Sequence, residues 1–185
     1  MKNKDIAIIG NAYSIIGKNQ GKTIDKFNIV IRINSDVPKN KNDIGEKTSF
    51  YYSGDILYRK KDLESEYLKS GTNYEVPVIY KNLFLWKQCQ NFYDPINEKS
   101  TFNNRKPPRG VSTGLLCIFD MLLRKPKSIT CYGFDGWVTP DKKDALRVVN
   151  WGNGVYDCSD LNCDYVKSER KRIKLLKKDY GVTFK

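Results

Sequence analysis

Near the N-terminus lies a Gly- and Lys-rich turn, Gly17-Lys-Asn-Gln-Gly-Lys-Thr23, whose residue types could hold a phosphate. A nucleoside-triphosphate loop needs Gly, four residues and then Gly-Lys-Ser/Thr, with the first Gly directly after a strand so that backbone N–H groups surround the phosphates. Here only three residues separate Gly17 from Gly21, and the preceding apolar run ends seven positions earlier, at Gly10. We therefore reject a triphosphate loop.

Two asparagines at the ends of short apolar runs could bind a ligand. Asn11 follows the run 5–10 and Asn34 ends the run 28–34, and both runs are predicted to be β-strands. In a doubly wound sheet, ligands lie at the carboxyl ends of strands. An amide supplies one acceptor and two donors, which can hold a ribose or a pyrimidine edge without adding charge. The spacing alone equally allows both residues simply to close turns.

A third candidate site lies at the start of a predicted helix. Ser112 or Thr113 can cap a helix in which the apolar residues of "LLCIFDMLL" recur at helical spacing. Free N–H groups and the positive end of the helix dipole would favour an anion there. A plain N-cap and an anion site are compatible, so this pattern does not separate them.

The elements that would position these residues alternate between strands and helices. Strands are predicted at 5–10, 28–34, 47–54, 76–80, 128–133 and 181–185, and helices at 55–69, 112–123 and 164–178. This order predicts an α/β fold, with a Rossmann-like, mainly parallel sheet flanked by helices, in a single domain spanning 1–185. Two irregular segments, 91–109 and 139–162, are predicted to be loops, and the second is a candidate lid.

The formal net charge of +12 would attract an anionic partner, whether nucleic acid, a membrane surface or a phosphorylated small substrate. Much of this charge lies in Lys167–Lys178, a stretch that is equally typical of a solvated helix face. The sequence has no interleaving of aromatic and basic residues of the kind that stacks on bases, so we expect no nucleic-acid partner.

The five cysteines include no CxxC pair, and the chain has no histidine. This composition disfavours zinc, and we expect no metal site. An odd count with several cysteines in apolar segments favours free thiols in a reducing compartment. The N-terminal residues form no apolar signal-like stretch, and no run approaches the length that spans a bilayer, which predicts a cytoplasmic protein.

Two sets of residues resemble the motifs of the sialyltransferases. The large sialyl motif is similar to Ile9-Gly10-Asn11, Gly17, Gly21, Ile24-Asp25, Val30, Arg32 and Asn34, and the small motif to Ser112-Thr113-Gly114 followed by Tyr132-Gly133-Phe134. The two sets stand in the family's order, and the bacterial sialyltransferases are similar in outline. The resemblance implies the GT-A-like variant of the Rossmann-like fold.

The resemblance also implies the reaction. The donor would be a CMP-activated nonulosonic acid, usually CMP-N-acetylneuraminic acid, transferred with inversion to a hydroxyl of a glycan or glycolipid acceptor. Asn11 and Asn34 would contact the cytidine monophosphate, and Ser112, Thr113 and Gly114 the carboxylate of the donor. The donor pocket would further contain Gly10, Gly133, Phe134 and Trp137, the last of which could instead hold its loop against the core.

No cofactor is implied. The sequence has no Asp-x-Asp, the motif with which many nucleotide-sugar transferases hold a diphosphate through a divalent ion. A monophosphate donor does not require such a clamp, so this absence agrees with a CMP-sugar.

The sequence departs from the family at the general base, which is generally a histidine that lies before a glutamate at the start of a helix. Counting back from Glu169 puts that position at Asp164 or, one residue earlier, at Cys163. An aspartate, with a reference pKa of about 3.9, is ionised at neutral pH, whereas a thiol of pKa about 8.5 is mostly protonated. Asp164 is the better chemical substitute, although an aspartate at a helix start is also an ordinary cap.

Tyrosine hydroxyls could stabilise the leaving group in place of a histidine. Tyr156 in the late loop and Tyr132 beside Gly133 are the candidates, and Tyr80 is a weaker one. Each could equally pack in the core, which is the commoner role of tyrosine in such contexts.

The motifs leave alternatives open. A related CMP-sugar such as CMP-Kdo could be the donor, and the missing histidine allows a catalytically inactive CMP-binding module. The disulfide that usually joins the two motifs is also missing, because no cysteine lies at the start of "IAIIGN". This agrees with a cytoplasmic bacterial or viral member rather than a Golgi one. The basic C-terminal helix could make peripheral contact with an anionic membrane, and the oligomeric state stays open.

Overall fold

A computed structural model describes residues 1–33, 40–53, 78–80, 88–89, 92–93, 111–134, 150–151, 154–155 and 164–185. The strands are β1 (Asp5–Ile9), β2 (Ile29–Ile33), β3 (Phe50–Ser53), β4 (Val78–Tyr80), β5 (Ser128–Tyr132), β6 (Asn150–Trp151), β7 (Gly154–Val155) and β8 (Thr183–Phe184). The helices are α1 (Gly21–Ile24), α2 (Lys41–Ile44), α3 (Thr113–Leu123) and α4 (Asp164–Asp179), and Tyr13–Ile15 form a 3-10 turn.

Six strands form one sheet in the order β4-β3-β2-β1-β5-β8, and every pair within it is parallel. Ile6 lies opposite Ile29 of β2 on one side and Ile129 of β5 on the other. β6 and β7 form a separate antiparallel pair. The predicted Rossmann-like, mainly parallel α/β fold is confirmed.

Both faces of the sheet are covered, which explains why its inner strands β1 and β2 are largely apolar and buried on both faces. In β1, Ile6 and Ile8 belong to the core cluster that contains α3, whereas Ala7 and Ile9 belong to the cluster around α1. None of these four side chains is more than 3% exposed. The register is therefore fixed, because a slip of one residue would exchange the two sets.

The two long helices lie on the same side of the sheet. α3 is buried from Thr113 to Met121, as expected of a helix that is apolar on nearly all sides. α4 is amphipathic, and its Ile173 and Leu176 pack into the same core cluster as α3. Its exposed face carries a stripe of lysines at helical spacing, Lys167, Lys171, Lys174 and Lys178.

The order of the strands in the sheet reverses at β1. From β1 the sheet grows through β2 and β3 to β4, and β5, which follows α3 in the chain, lies on the other side of β1. Such a switch point opens a crevice beyond the carboxyl ends of the strands, where open α/β sheets bind their ligands. In this chain the crevice is flanked by the residues that follow Ile9 and Tyr132.

Some elements differ from the prediction. α2 is a short helix that the sequence pattern does not indicate, capped by the Asn40 side chain, which accepts from the Asn42 N–H. The segment 139–162, predicted to be irregular, contains the β6–β7 pair. The helix predicted at 55–69 and most of the loop predicted at 91–109 lie outside the described residues.

Candidate functional site

Backbone hydrogen bonds join the residues that follow β1 to those at the end of β5. The Gly10 N–H donates to the Tyr132 carbonyl oxygen at 2.8 Å, and the Ala12 N–H to that of Gly133 at 3.2 Å. Asn11 lies between these two donors and is exposed. Its carboxamide is therefore carried on a fixed backbone at the crevice.

The ring of Phe134 brings the two motifs together. A Cβ on Gly10 would lie 2.9 Å from Cε2 of this ring, and a Cβ on Gly114 would lie 2.6 Å from its Cε1. A Cβ on Gly10 would also come within 2.5 Å of the Gly133 carbonyl oxygen. Only glycine allows this approach, so the end of β1, the start of α3 and the end of β5 meet around one aromatic ring.

The hydroxyl group of Ser112 makes two hydrogen bonds within the protein. Its Oγ accepts from the Leu115 N–H at 3.3 Å, as an N-cap does, and donates to Oε1 of Glu169 at 2.5 Å. The hydroxyl proton therefore points at Glu169. The start of α3 can still offer an anion the N–H groups of Thr113 and Gly114, which have no acceptor within a helix of this geometry.

Glu169 is a site residue that the sequence analysis used only for counting. It is 4% exposed, and its Oε2 is buried without a hydrogen-bond partner among the described residues. Burial raises the pKa of Glu169 to about 7, although the hydrogen bond from Ser112 and the charge of Arg172 both lower it. The spacing contains a signal for this burial, because Glu169 lies four and seven residues before the buried Ile173 and Leu176.

Two other groups contact this region from the core. The Tyr93 hydroxyl donates to the Leu115 carbonyl oxygen at 3.1 Å. The Arg172 guanidinium lies over the Tyr93 ring, 5.9 Å from its centroid. We call Ser112, Glu169, Arg172 and Tyr93 the buried polar cluster; it supports the first turn of α3.

The turn that resembles a phosphate loop is filled by a side chain of this protein. Oδ1 of Asp43, a residue that is 1% exposed, accepts from the Asn19 N–H at 2.9 Å. Hydrogen bonds from the backbone of Gly17, Asn19 and Lys18 hold the pKa of Asp43 below its usual value. A carboxylate thus takes the place that a phosphate would need, in agreement with the rejection of a triphosphate loop.

Two charged residues of the large motif have structural roles. Arg32 is 1% exposed and donates to Thr48 Oγ1 and to three backbone carbonyl groups of the segment 44–47. The Asp25 carboxylate accepts from the backbone N–H groups of residues 46 and 47. Both residues fix the chain between α2 and β3 and so position the strands beside the crevice.

Of the two alternatives for Tyr132, core packing is the one observed. The residue is 1% exposed and belongs to the core cluster around α1, where its ring packs edge-on against Phe27 with 6.2 Å between centroids. Burial raises the pKa of the Tyr132 hydroxyl.

Several predicted site residues cannot be placed at the crevice. Asn34, Trp137, Tyr156 and Cys163 lie outside the described residues. Asp164 is the first residue of α4 and Tyr80 the last of β4, but their side chains are not among those described. The structure thus brings together Gly10, Asn11, Ser112, Thr113, Gly114, Gly133 and Phe134 of the predicted set.

Outside the crevice, the described part of the chain contains a cavity but no set of metal-binding side chains. Within the described ranges, no three His, Cys, Asp or Glu side chains form a set that could hold a metal ion. Among the helices described, none has the length and apolar character needed to cross a bilayer. A cavity of about 320 Å³ lies at the amino end of β5, lined in part by Lys125, Lys127 and Tyr180, and is therefore separate from the crevice.

Comparisons with known proteins show a family model and solved structures to which the chain is similar. Residues 2–87 match the family model of glycosyltransferase family 29 (sialyltransferase). A crystal structure of a mammalian sialyltransferase superposes with a TM-score of 0.58 at 18% identity, covering 99% of this chain and 69% of that one. A mammalian sialyltransferase in complex with Gal-beta-1-3GalNAc-ortho-nitrophenol gives a TM-score of 0.57 at 18% identity, with the same coverage of both chains.

No curated protein shows a significant sequence match. The family match includes the large motif, and the similarity of fold extends over the small motif and α4. The resemblance to the sialyltransferases that the two motifs predict is confirmed: residues 2–87 match the family model, and the fold is similar to that of a mammalian sialyltransferase.

Proposed function

We propose that the protein transfers sialic acid, or a related nonulosonic acid, from a CMP-sugar donor to a glycan hydroxyl, with inversion and without a metal ion. The observation that carries this proposal is the meeting of Gly10, Gly114 and Gly133 around the Phe134 ring. It gathers both sialyl motifs at the switch point of the sheet, where a nucleotide-sugar would bind.

The donor would be recognised by groups at three strand and helix ends. The exposed carboxamide of Asn11 suits the cytidine monophosphate, because it supplies donors and an acceptor without charge. Asn34, which follows β2, is proposed as its partner. The N–H groups of Thr113 and Gly114 suit the donor carboxylate, since they carry the partial positive charge of the α3 N-terminus.

In the proposed reaction, the oxygen of the acceptor hydroxyl attacks the anomeric carbon from the face opposite the CMP group. The new C–O bond forms as the bond to the phosphate oxygen breaks, and CMP leaves with that electron pair. Asp164 accepts the hydroxyl proton, with Cys163 as the alternative base, and Tyr156 hydrogen-bonds the departing phosphate. The contact between Ser112 and Glu169 supports the assignment of Asp164 as the base. Glu169 lies in the second turn of α4, so this contact holds the helix that begins at Asp164 against the start of α3.

The proposed independence from metal ions is supported by the sequence. A CMP donor carries one phosphate, and the chain has no Asp-x-Asp motif with which to bind a divalent ion. Transfer should therefore continue when divalent ions are removed with a chelator.

The acceptor would be a glycan or a glycolipid, and the lysine stripe of α4 suits an anionic membrane. The four lysines lie on the side of the helix that faces away from the core. A basic surface of this kind is attracted to anionic lipids by about 1 kcal/mol per Lys or Arg close to the membrane. A cytoplasmic protein in peripheral contact with such a membrane would meet glycolipid acceptors there.

The test is release of CMP from CMP-N-acetylneuraminic acid, with and without Gal-beta-1-3GalNAc-ortho-nitrophenol as acceptor. Asp164→Asn should lower turnover by about 100-fold or more while CMP affinity is kept, because removal of a general base costs about that much. Cys163→Ser is the matched control for a neighbouring side chain. Normal turnover in Asp164→Asn together with loss of turnover in Cys163→Ser would identify Cys163 as the general base.

A second candidate function is a catalytically inactive CMP-binding module, which the absence of histidine favours. Tight CMP binding with no consumption of any CMP-sugar would support it. Parallel assays with CMP-Kdo test the related transferase. Undetectable CMP binding together with tight, salt-sensitive binding of DNA or RNA would overturn all of these proposals.

A further inference from the structure

Glu169 is a buried carboxyl group on the apolar side of an otherwise amphipathic helix. The neighbours on its face, Ile173 and Leu176, are 8% and 0% exposed, and Glu169 itself is 4% exposed. A carboxyl group at such a position costs stability unless it makes compensating hydrogen bonds. Its bond from Ser112 joins residues that are 57 positions apart in the chain, so it fixes α4 against the start of α3.

The bond also fixes which atoms α3 presents to a ligand. Because Ser112 donates its hydroxyl proton to Glu169 and accepts from the Leu115 N–H, its side chain cannot rotate without losing two hydrogen bonds. Ser112 is the last residue before the helix, so its orientation sets the direction of the next two N–H groups. Those groups belong to Thr113 and Gly114, and neither has an acceptor within the helix.

The first turn of α3 is restrained on its other sides as well. The Phe134 ring packs against Gly114, and the Tyr93 hydroxyl donates to the Leu115 carbonyl oxygen. Loss of the contact with Glu169 would therefore leave the helix in place but free the Ser112 end of the turn. The effect should be confined to the ligand group that binds there.

We propose that Glu169 is a positioning residue for the carboxylate of the donor sugar, acting through Ser112 on the N–H groups of Thr113 and Gly114. This inference rests on the proposed function. It assigns a role in substrate recognition to a side chain that does not touch the substrate.

The test compares two ligands that differ in the carboxylate-bearing sugar. Affinities for CMP and for a fluorinated, transfer-resistant analogue of CMP-N-acetylneuraminic acid are measured by calorimetry. Glu169→Ala should weaken binding of the analogue by about 10-fold, the loss expected for one charge-assisted hydrogen bond, and leave CMP binding within about twofold. Glu169→Gln keeps an acceptor for Ser112 and should restore analogue binding.

Controls separate positioning from general destabilisation. Asp179→Ala removes an exposed carboxylate from the same helix and should change neither affinity. Ser112→Ala should reproduce the selective loss, and Ser112→Ala combined with Glu169→Ala should add nothing further, because the two residues act as one unit. If Glu169→Ala does not fold, the selective loss in Ser112→Ala and the rescue in Glu169→Gln carry the test.

Equal losses for CMP and for the analogue in Glu169→Ala would overturn the inference, since they would indicate a merely structural role. Unchanged binding of both ligands would overturn it too. If the wild-type protein binds neither ligand, the proposed function itself fails and this inference falls with it. The wild-type measurement therefore distinguishes the two failures.

Discussion

The carboxylate of Asp43 lies inside the turn that contains Asn19 and accepts the N–H group of that residue at 2.9 Å. A segment that resembles a phosphate loop in sequence thus binds an acidic side chain of the same molecule. The turn, α1 and α2 are joined by this contact.

Stability should depend on the ionisation of Asp43. Its pKa in the folded state is lowered, so its contribution is complete above the unfolded pKa and is lost as the pH falls through the folded value. The difference in urea midpoint between the wild type and Asp43→Asn should therefore be large at pH 7 and shrink on acidification. Asp179→Asn, at an exposed position, serves as the control. A difference that stays constant with pH would contradict the assignment.

Glu169 should give the opposite pH dependence. Its folded pKa is raised to about 7 from a reference value of 4.5, so its contribution is complete below pH 4.5 and is lost as the pH rises through 7. The wild type should lose about 3 kcal/mol of unfolding free energy from this group between pH 4.5 and 8. Glu169→Gln should remove that loss in urea titrations at the two pH values. An identical pH profile in both proteins would show that folding does not raise the pKa of Glu169.

Two glycines of the large motif should tolerate alanine differently. Gly10→Ala places a Cβ 2.5 Å from the Gly133 carbonyl oxygen, and we expect it to cost about 1–3 kcal/mol and to abolish CMP binding. Gly17 has a φ of +77° but no atom within 4 Å of an added Cβ. Gly17→Ala should therefore cost about 1–2 kcal/mol through backbone strain alone and leave CMP affinity intact. Loss of CMP binding in both variants would contradict the expected difference between Gly10 and Gly17.

The contact between Gly114 and Phe134 can be tested by a double-mutant cycle. Gly114→Ala should destabilise the wild type by about 1–3 kcal/mol, because the new Cβ would come within 2.6 Å of the ring. In a Phe134→Ala background the same change should stabilise by up to about 1 kcal/mol, since alanine is the better helix former. Thermal unfolding of the four proteins measures both effects. If the effects of the two substitutions on stability are additive, the Phe134 ring moves aside in Gly114→Ala without cost.

The lysine stripe of α4 should determine binding to anionic vesicles. Lys171→Glu combined with Lys174→Glu should weaken cosedimentation with vesicles that contain phosphatidylserine by at least about tenfold, and added salt should weaken the wild type in the same way. Lys22→Glu combined with Lys26→Glu gives the same change in net charge on the opposite side of the sheet. Equal losses in both double variants would indicate a response to net charge rather than a defined surface.

Much of the fold could be predicted from the sequence because burial on both faces leaves a direct signature. The runs around Ile8 and Ile31 are almost entirely apolar, with Arg32 the one charged residue among 6–9 and 29–33, and they end in Gly or Asn, which marks strands and their carboxyl ends. The small motif marked the start of α3 because Ser112 is a good N-cap. These local signals, read in order, were sufficient to locate the crevice.

The contacts that complete the site could not be predicted, because they depend on residues far apart in the chain. Asp43 stands in a polar stretch that is typical of a loop, and nothing in its neighbours indicates Asn19 as its partner. Glu169 stands among lysines and arginines, so composition predicts a solvated position, whereas its face of the helix is buried. Phe134 belongs to the small motif, but the sequence does not indicate that its ring lies against both Gly10 and Gly114.

The position of β1 at the reversal of strand order also affects how the protein is made. Ile6 finds one partner in Ile29, soon after it in the sequence, and the other in Ile129, in the last third of the chain. During synthesis, β1 keeps one edge unpaired until β5 has been made. Strand pairing between segments so far apart in the chain forms slowly. A product that stops before β5 would keep that apolar edge open and would aggregate.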